Sequence, residues 1–177
     1  MKTLASNLLV WVGDKVACVK ILGRASFNCS VDFKTLINGL AEKGFGRFVL
    51  DLTDCLLMDS TFLGVLAGLG QKFAAARNGD PRPTVELLNP NPRILDLLEN
   101  LGASHLFKVL NCTDLETDKM AVVNLTPMNP DRKEISRTCL EAHQILMGLN
   151  PANLAKFKDV AQFLAEDLKK MDDRDGK

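Results

Sequence analysis

Three oxygen-bearing side chains stand in a row at Asp59-Ser60-Thr61, directly before a helix-periodic run. A carboxylate and two hydroxyls placed there can accept from the N–H groups that a helix start leaves without partners, so their plainest use is as a cap. The hydroxyls also fall at the positive end of the helix, where added negative charge is tolerated. His105 and His143 are the only histidines, and His143 follows Cys139 at helical ligand spacing. Two ligands do not make a metal site. Asp51 and Asp54 lie close before the helix start, where they serve as solvated strand-edge acids, orient the serine loop or place acid near a partner's magnesium-nucleotide. No Gly-x-Ser-x-Gly elbow, phosphate-binding Walker loop or dinucleotide fingerprint occurs. Nothing assembles a nucleophile, a base and an orienting acid. The sequence therefore points away from an enzyme, with no catalytic residue, metal ligand set or cofactor assigned.

The elements that must hold the three residues can be read on either side of them. Phe48-Val49-Leu50-Asp51-Leu52 is a short apolar run suited to a buried strand. A connection, 53–58, leads from it to the helix. In the helix Phe62, Val65, Leu66, Leu69 and Phe73 recur as one apolar stripe. The opposite face carries Gly64, Ala67, Gly68, Gln71 and Ala75, almost bare of side chain, so a partner backbone can approach it closely.

This strand, loop and Asp59-Ser60-Thr61-Phe62-Leu63-Gly64 run resembles the signature of the anti-sigma factor antagonist family, the STAS domain shared with sulfate transporters. The resemblance covers roughly residues 8–112 and extends to the Asn91-Pro92-Arg93-Ile94-Leu95-Asp96-Leu97-Leu98 region. The family glycine two positions after the serine is Phe62 here, which falls on the apolar stripe. The resemblance implies phosphorylation at Ser60, with Thr61 a secondary site. It implies a partner-binding surface of Asp59, Ser60, Thr61, Phe62, Gly64, Ala67, Gly68 and Gln71. It places the 26–30 loop near the serine. The partners it implies are an anti-sigma factor serine kinase, a GHKL-type ATPase, and a phosphoserine phosphatase, in bacterial transcription control. A second function stands beside this one: a STAS scaffold, never phosphorylated, as accessory subunit of a transporter or signalling complex.

Around this centre the chain alternates strands and helices. Leu8 to Val12 and Lys15 to Leu22 flank Gly13-Asp14 as a hairpin. Phe33, Leu36, Ile37 and Leu40 mark a helix that Gly44 ends. The central helix should stop near Arg77-Asn78-Gly79, before the stiff Asp80-Pro81-Arg82-Pro83. Val85 to Leu88 and Leu106 to Leu110 read as strands, and Asn91-Pro92 as a helix start. The expected fold is α/β: a mixed, mainly parallel STAS-like sheet with an antiparallel opening hairpin. Residues 1–112 form that domain, 113–130 a linker and 131–177 a helical hairpin broken at Asn150-Pro151, with 172–177 frayed. A lone hairpin cannot bury its own apolar stripes, so it packs on the domain, on a second copy (a homodimer) or on another protein.

The 177 residues suffice for one domain with a core plus an appendage. Formal net charge is zero and no basic run occurs, which excludes the electrostatic footprint of a nucleic-acid binder. No run is long enough to insert into a membrane. Five scattered cysteines without a Cys-x-x-Cys pair suit reduced thiols in the cytoplasm.

Overall fold

A computed structural model describes residues 7–75, 82–112 and 119–176. β1 (Leu8–Val12) and β2 (Val16–Ile21) form the antiparallel opening hairpin. β3 (Gly23–Ala25) follows at once, and α1 (Phe27–Glu42) begins behind Ser26. Residues 27–30 are thus the first turn of a helix and not a loop. Gly44, at φ 88°, turns the chain out of α1 into β4 (Arg47–Asp51). β5 (Cys55–Met58) lies inside the stretch that reads as a bare connection; it pairs in parallel with β3 as a separate two-stranded sheet. Both pieces are too short for a periodicity to show.

α2 (Ser60–Ala75) leaves β5 directly. Its expected stop near Gly79, and the beginning of the proline linker, fall outside the described residues. β6 (Thr84–Leu88) returns to the sheet. α3 (Pro92–Asn100) starts as its sequence dictates: the Asn91 side chain accepts from the Ile94 N–H at 3.1 Å, with proline in the first turn. Gly102, at φ 75°, ends the following turn, and β7 (Lys108–Leu110) closes that side of the sheet. The segment expected to be a linker holds another strand. β8 (Ala121–Val123) pairs antiparallel with β1, so the sheet order is β7-β6-β4-β2-β1-β8. β4, β6 and β7 run parallel to β2.

Alternate strand residues build the core: Leu8 and Val10, Ala17, Val19 and Ile21, Phe48 and Leu50, Val85 and Leu87. Phe33 and Ile37 of α1 and Phe62, Leu63, Leu66 and Phe73 of α2 complete it. Burial pushes the Cys18 thiol up to about 12 and the Cys29 thiol up to about 11, which leaves both protonated and inert in the interior.

α4 (Arg132–Leu149) is capped by Asp131, whose side chain accepts from the Glu134 N–H at 2.8 Å. α5 (Ala152–Asp175) runs on through residues expected to be frayed; Lys133 holds Asp172 at 2.6 Å and Asp175 at 2.8 Å across the hairpin. The hairpin lies on the α/β layer. α4 packs along α2, and Ala142 and Leu146 enter the common core. Asn153, fully buried, pins the turn: its amide donates to Leu146 O at 2.7 Å and to Leu101 O at 2.9 Å. Among the described residues no helix is long and apolar enough to cross a membrane.

Asn153→Ala strips two buried carbonyls of their donor, so it should lower stability by about 1–3 kcal/mol. A shift of the urea midpoint at constant m-value would show this. A loss within about 0.5 kcal/mol, the usual surface range, would mean that the amide does not anchor the hairpin.

Candidate functional site

The three oxygen-bearing residues divide their work. Asp59 alone caps α2: Oδ1 accepts from the Phe62 N–H at 2.8 Å. Its other oxygen accepts from the Phe27 N–H at 2.8 Å, so one carboxylate holds the starts of α1 and α2 together. The Asp59 N–H donates to Ala25 O at 2.9 Å and fixes the pair to β3. Residues 26–30 are indeed beside the serine, but as a helix end tied through Asp59.

The hydroxyls do not cap; both turn toward α4. Ser60 Oγ lies 3.0 Å from His143 Nε2, and His143 Nδ1 lies 2.7 Å from Cys139 O. A carbonyl oxygen can only accept, so Nδ1 carries the proton. In the neutral ring Nε2 is then the acceptor, and the Ser60 O–H donates to it. The imidazole is buried and tilted against the Phe157 ring, centroids 5.2 Å apart, so its orientation is fixed from both sides. Ser60 itself is half-buried. Thr61 is 6 % exposed; its hydroxyl donates to the Cys139 sulfur at 3.7 Å. Burial, more than the nearby Asp59 charge, raises the Cys139 thiol above its ordinary range.

This is a nucleophile–base pair without an orienting acid, since a main-chain carbonyl stands in the acid's place. Cys139 and His143 share a face, as their spacing implies. They serve as hydroxyl partners and not as a ligand pair. Their signal in the sequence was a pair of polar side chains on the apolar stripe of α4. What the sequence could not supply was the surface that stripe would meet.

That surface is α2's smooth face. A Cβ built on Gly64 would lie 2.4 Å from Ala142 O, and one on Gly68 would lie 2.6 Å from Ile145 Cδ1. Glycine is therefore required at Gly64, where the obstacle is backbone, whereas at Gly68 only the end of the Ile145 side chain would have to shift; the occupant of the bare face is the chain's own helix. Of the residues expected to meet a partner, Thr61, Phe62, Gly64 and Ala67 are buried, Asp59, Ser60 and Gly68 are half-buried, and Gln71 is exposed. Phe62 points inward, 0 % exposed, against Phe33 with ring centroids 4.8 Å apart. It fills the core beneath α1. Toward α1 the α2–α4 seam widens into a cavity of about 200 Å³, floored by Val65, Leu69 and Ile145. The surface pair Lys34–Glu141, at 2.5 Å, bridges its mouth.

Asp51 and Asp54 are placed elsewhere. Lys20 binds Asp54 at 2.6 Å and Asp51 at 3.8 Å at the ends of β2 and β4. The hydrogen bond that Lys20 donates to Asp54 is the main reason its ammonium titrates above its ordinary range. His105 is exposed in the short helical turn Ser104–Leu106.

A family model, STAS domain, matches residues 10–115, ending before α4. No curated protein matches significantly. Among solved structures, one from Thermotoga maritima, described as a candidate anti-sigma factor antagonist, is 19 % identical. It covers 62 % of this chain and 90 % of its own, with a TM-score of 0.50. An anti-sigma factor antagonist from Mycobacterium paratuberculosis is 18 % identical, covering 66 % of this chain and 93 % of its own, with a TM-score of 0.50. The Bacillus cell fate determinant SpoIIAA in its phosphorylated form is 18 % identical, covering 62 % and 94 %, with a TM-score of 0.47. Identities of this size speak to fold alone.

Two substitutions probe the packing. Phe62→Ala should cost about 3–5 kcal/mol, as for a fully buried aromatic. For Gly64→Ala two effects compete. Helix propensity favours alanine by up to about 1 kcal/mol, whereas overpacking against a backbone atom costs about 1–3 kcal/mol. The clash should win, and denaturant titration should show net destabilisation. A stabilised Gly64→Ala chain would mean that α4 does not sit against Gly64 in solution.

Proposed function

The chain belongs to the STAS domain family, and from that premise we propose that it is a phosphorylation-controlled protein-binding switch of the anti-sigma factor antagonist kind. Ser60 is the switched group. The observation that carries this reading is the placing of Ser60 Oγ. It lies in the first turn of α2, on a half-buried residue, with an imidazole nitrogen at 3.0 Å to receive its proton. The partner is a serine kinase of the GHKL ATPase type acting as an anti-sigma factor, with a phosphatase to reset the site, in the cytoplasm.

A phosphate adds about −1.5 to −2 charge. At a helix N-terminus it is neutral to mildly stabilising, by roughly 0.3–1 kcal/mol, so the monomer stays folded. The cost falls on a complex that buries the dianion without a partner, several kcal/mol. About 4 kcal/mol weakens binding roughly a thousandfold. Thr61, sealed under α4, is not a site while the hairpin is seated. A partner that reaches Gly64 and Ala67 must take the place of α4.

The α2–α4 contact favours a second reading, an unphosphorylated scaffold whose smooth face is consumed by its own fold. Incubation with ATP and candidate kinases, read by intact mass, separates the two. The switch predicts one added phosphate, absent from Ser60→Ala. It also predicts that Ser60→Asp binds the kinase about tenfold or more weaker than Ser60→Ala. No phosphate on any residue, with equal binding by both variants, would leave the scaffold.

A further inference from the structure

Resting on the reading of Ser60 as the modified residue, we propose that His143 is a phosphoserine receptor in cis: the phosphate on Ser60 binds His143 Nε2 and locks the α4–α5 hairpin over α2. The ring is prepared for this by its other nitrogen. Nδ1–H is committed to Cys139 O at 2.7 Å, and Phe157 holds the ring face. Only Nε2 is left to change, and it can pass from acceptor to donor without any movement of the ring. In the unmodified chain it accepts from the Ser60 hydroxyl. In phosphoryl transfer from a nucleoside triphosphate, the Oγ–P bond forms, the phosphoanhydride bond breaks and the hydroxyl proton goes to Nε2. The product is an imidazolium facing a phosphate, both of its N–H groups bonded.

The remaining charges permit this. The acid adjoining Ser60 in the chain, Asp59, is already held by the N–H groups of Phe27 and Phe62. The α2 N-terminus favours the added anion. Ser60 is half-buried and not sealed, so the residue that would carry the phosphate keeps part of its surface in solvent. The new bond is charge-assisted and replaces a neutral one about half as strong. Its second anchor is on α4, so the gain goes into the hairpin's seat. Modification therefore acts on the partner face twice, by charge at Ser60 and by holding α4 over Gly64 and Ala67.

The test uses the full chain with phosphoserine at position 60 installed during translation, so no kinase is needed. Hydrogen exchange of residues 132–149 should slow by about tenfold relative to the unmodified chain, the gain expected if a neutral bond becomes charge-assisted. In the His143→Ala background, compared with and without phosphate, the ratio should return to about one. Imidazole ¹⁵N shifts at neutral pH should report Nε2 as a lone-pair acceptor in the unmodified chain and as proton-bearing in the phosphorylated one. Three results would overturn the proposal: exchange unchanged or faster on phosphorylation, slowing that survives His143→Ala, or Nε2 unprotonated in both forms. Failure of every kinase to modify Ser60 would instead strike the reading of the switch, and this measurement does not depend on it.

Discussion

Two helix backbones meet where α2 has no side chain. At Gly64 the carbonyl of Ala142 occupies the volume of a β-carbon, and at Gly68 the end of Ile145 does nearly the same. A close approach of this kind is all-or-none, because packed interiors do not deform continuously. The seat of α4 then determines what becomes of the hydroxyls at the start of α2, which of the expected contact residues are reachable and how α4 hides its apolar stripe, while Leu154, Val160 and Phe163 of α5 stay exposed.

The contact also explains how polar groups are tolerated in the seam. Ser60, Thr61, Cys139 and His143 satisfy one another. An unmatched hydroxyl or imidazole in such a place would cost about 1–3 kcal/mol, so these pairings fix the register of α4 on α2 as well as its chemistry. Asp59 stands just outside the cluster and works on backbone groups only. Its carboxylate makes the start of α2 a rigid platform, and side chains on a rigid platform hold their geometry when a neighbour changes charge.

Much of the layer was legible from residue order. The Gly13-Asp14 hairpin, the Asn91-Pro92 helix start and the stripe of α2 rest on local rules and appear as those rules require. The short pieces β3, β5 and β8 did not announce themselves, since three or four residues carry no period. The site was half legible. A smooth helix face implies a close neighbour, and the sequence showed that face plainly at Gly64, Ala67 and Gly68. Which neighbour is a question of long-range contact: the Ala142 that fills the space lies far along the chain, on a helix whose own pattern said only that it must pack somewhere. His143 looked idle because its partner, Ser60, is equally remote.

β8 has a role beyond completing the sheet. By pairing with β1 it fastens the chain just before residues 124–131, so the run up to α4 is short. A hairpin that lifts away on such a leash stays at an effective concentration in the millimolar range. Any outside helix present at micromolar levels competes against a resident roughly a thousand times more concentrated, and it must compensate with intrinsic affinity. The strand thus sets a threshold for strangers, and weak or accidental visitors fall below it.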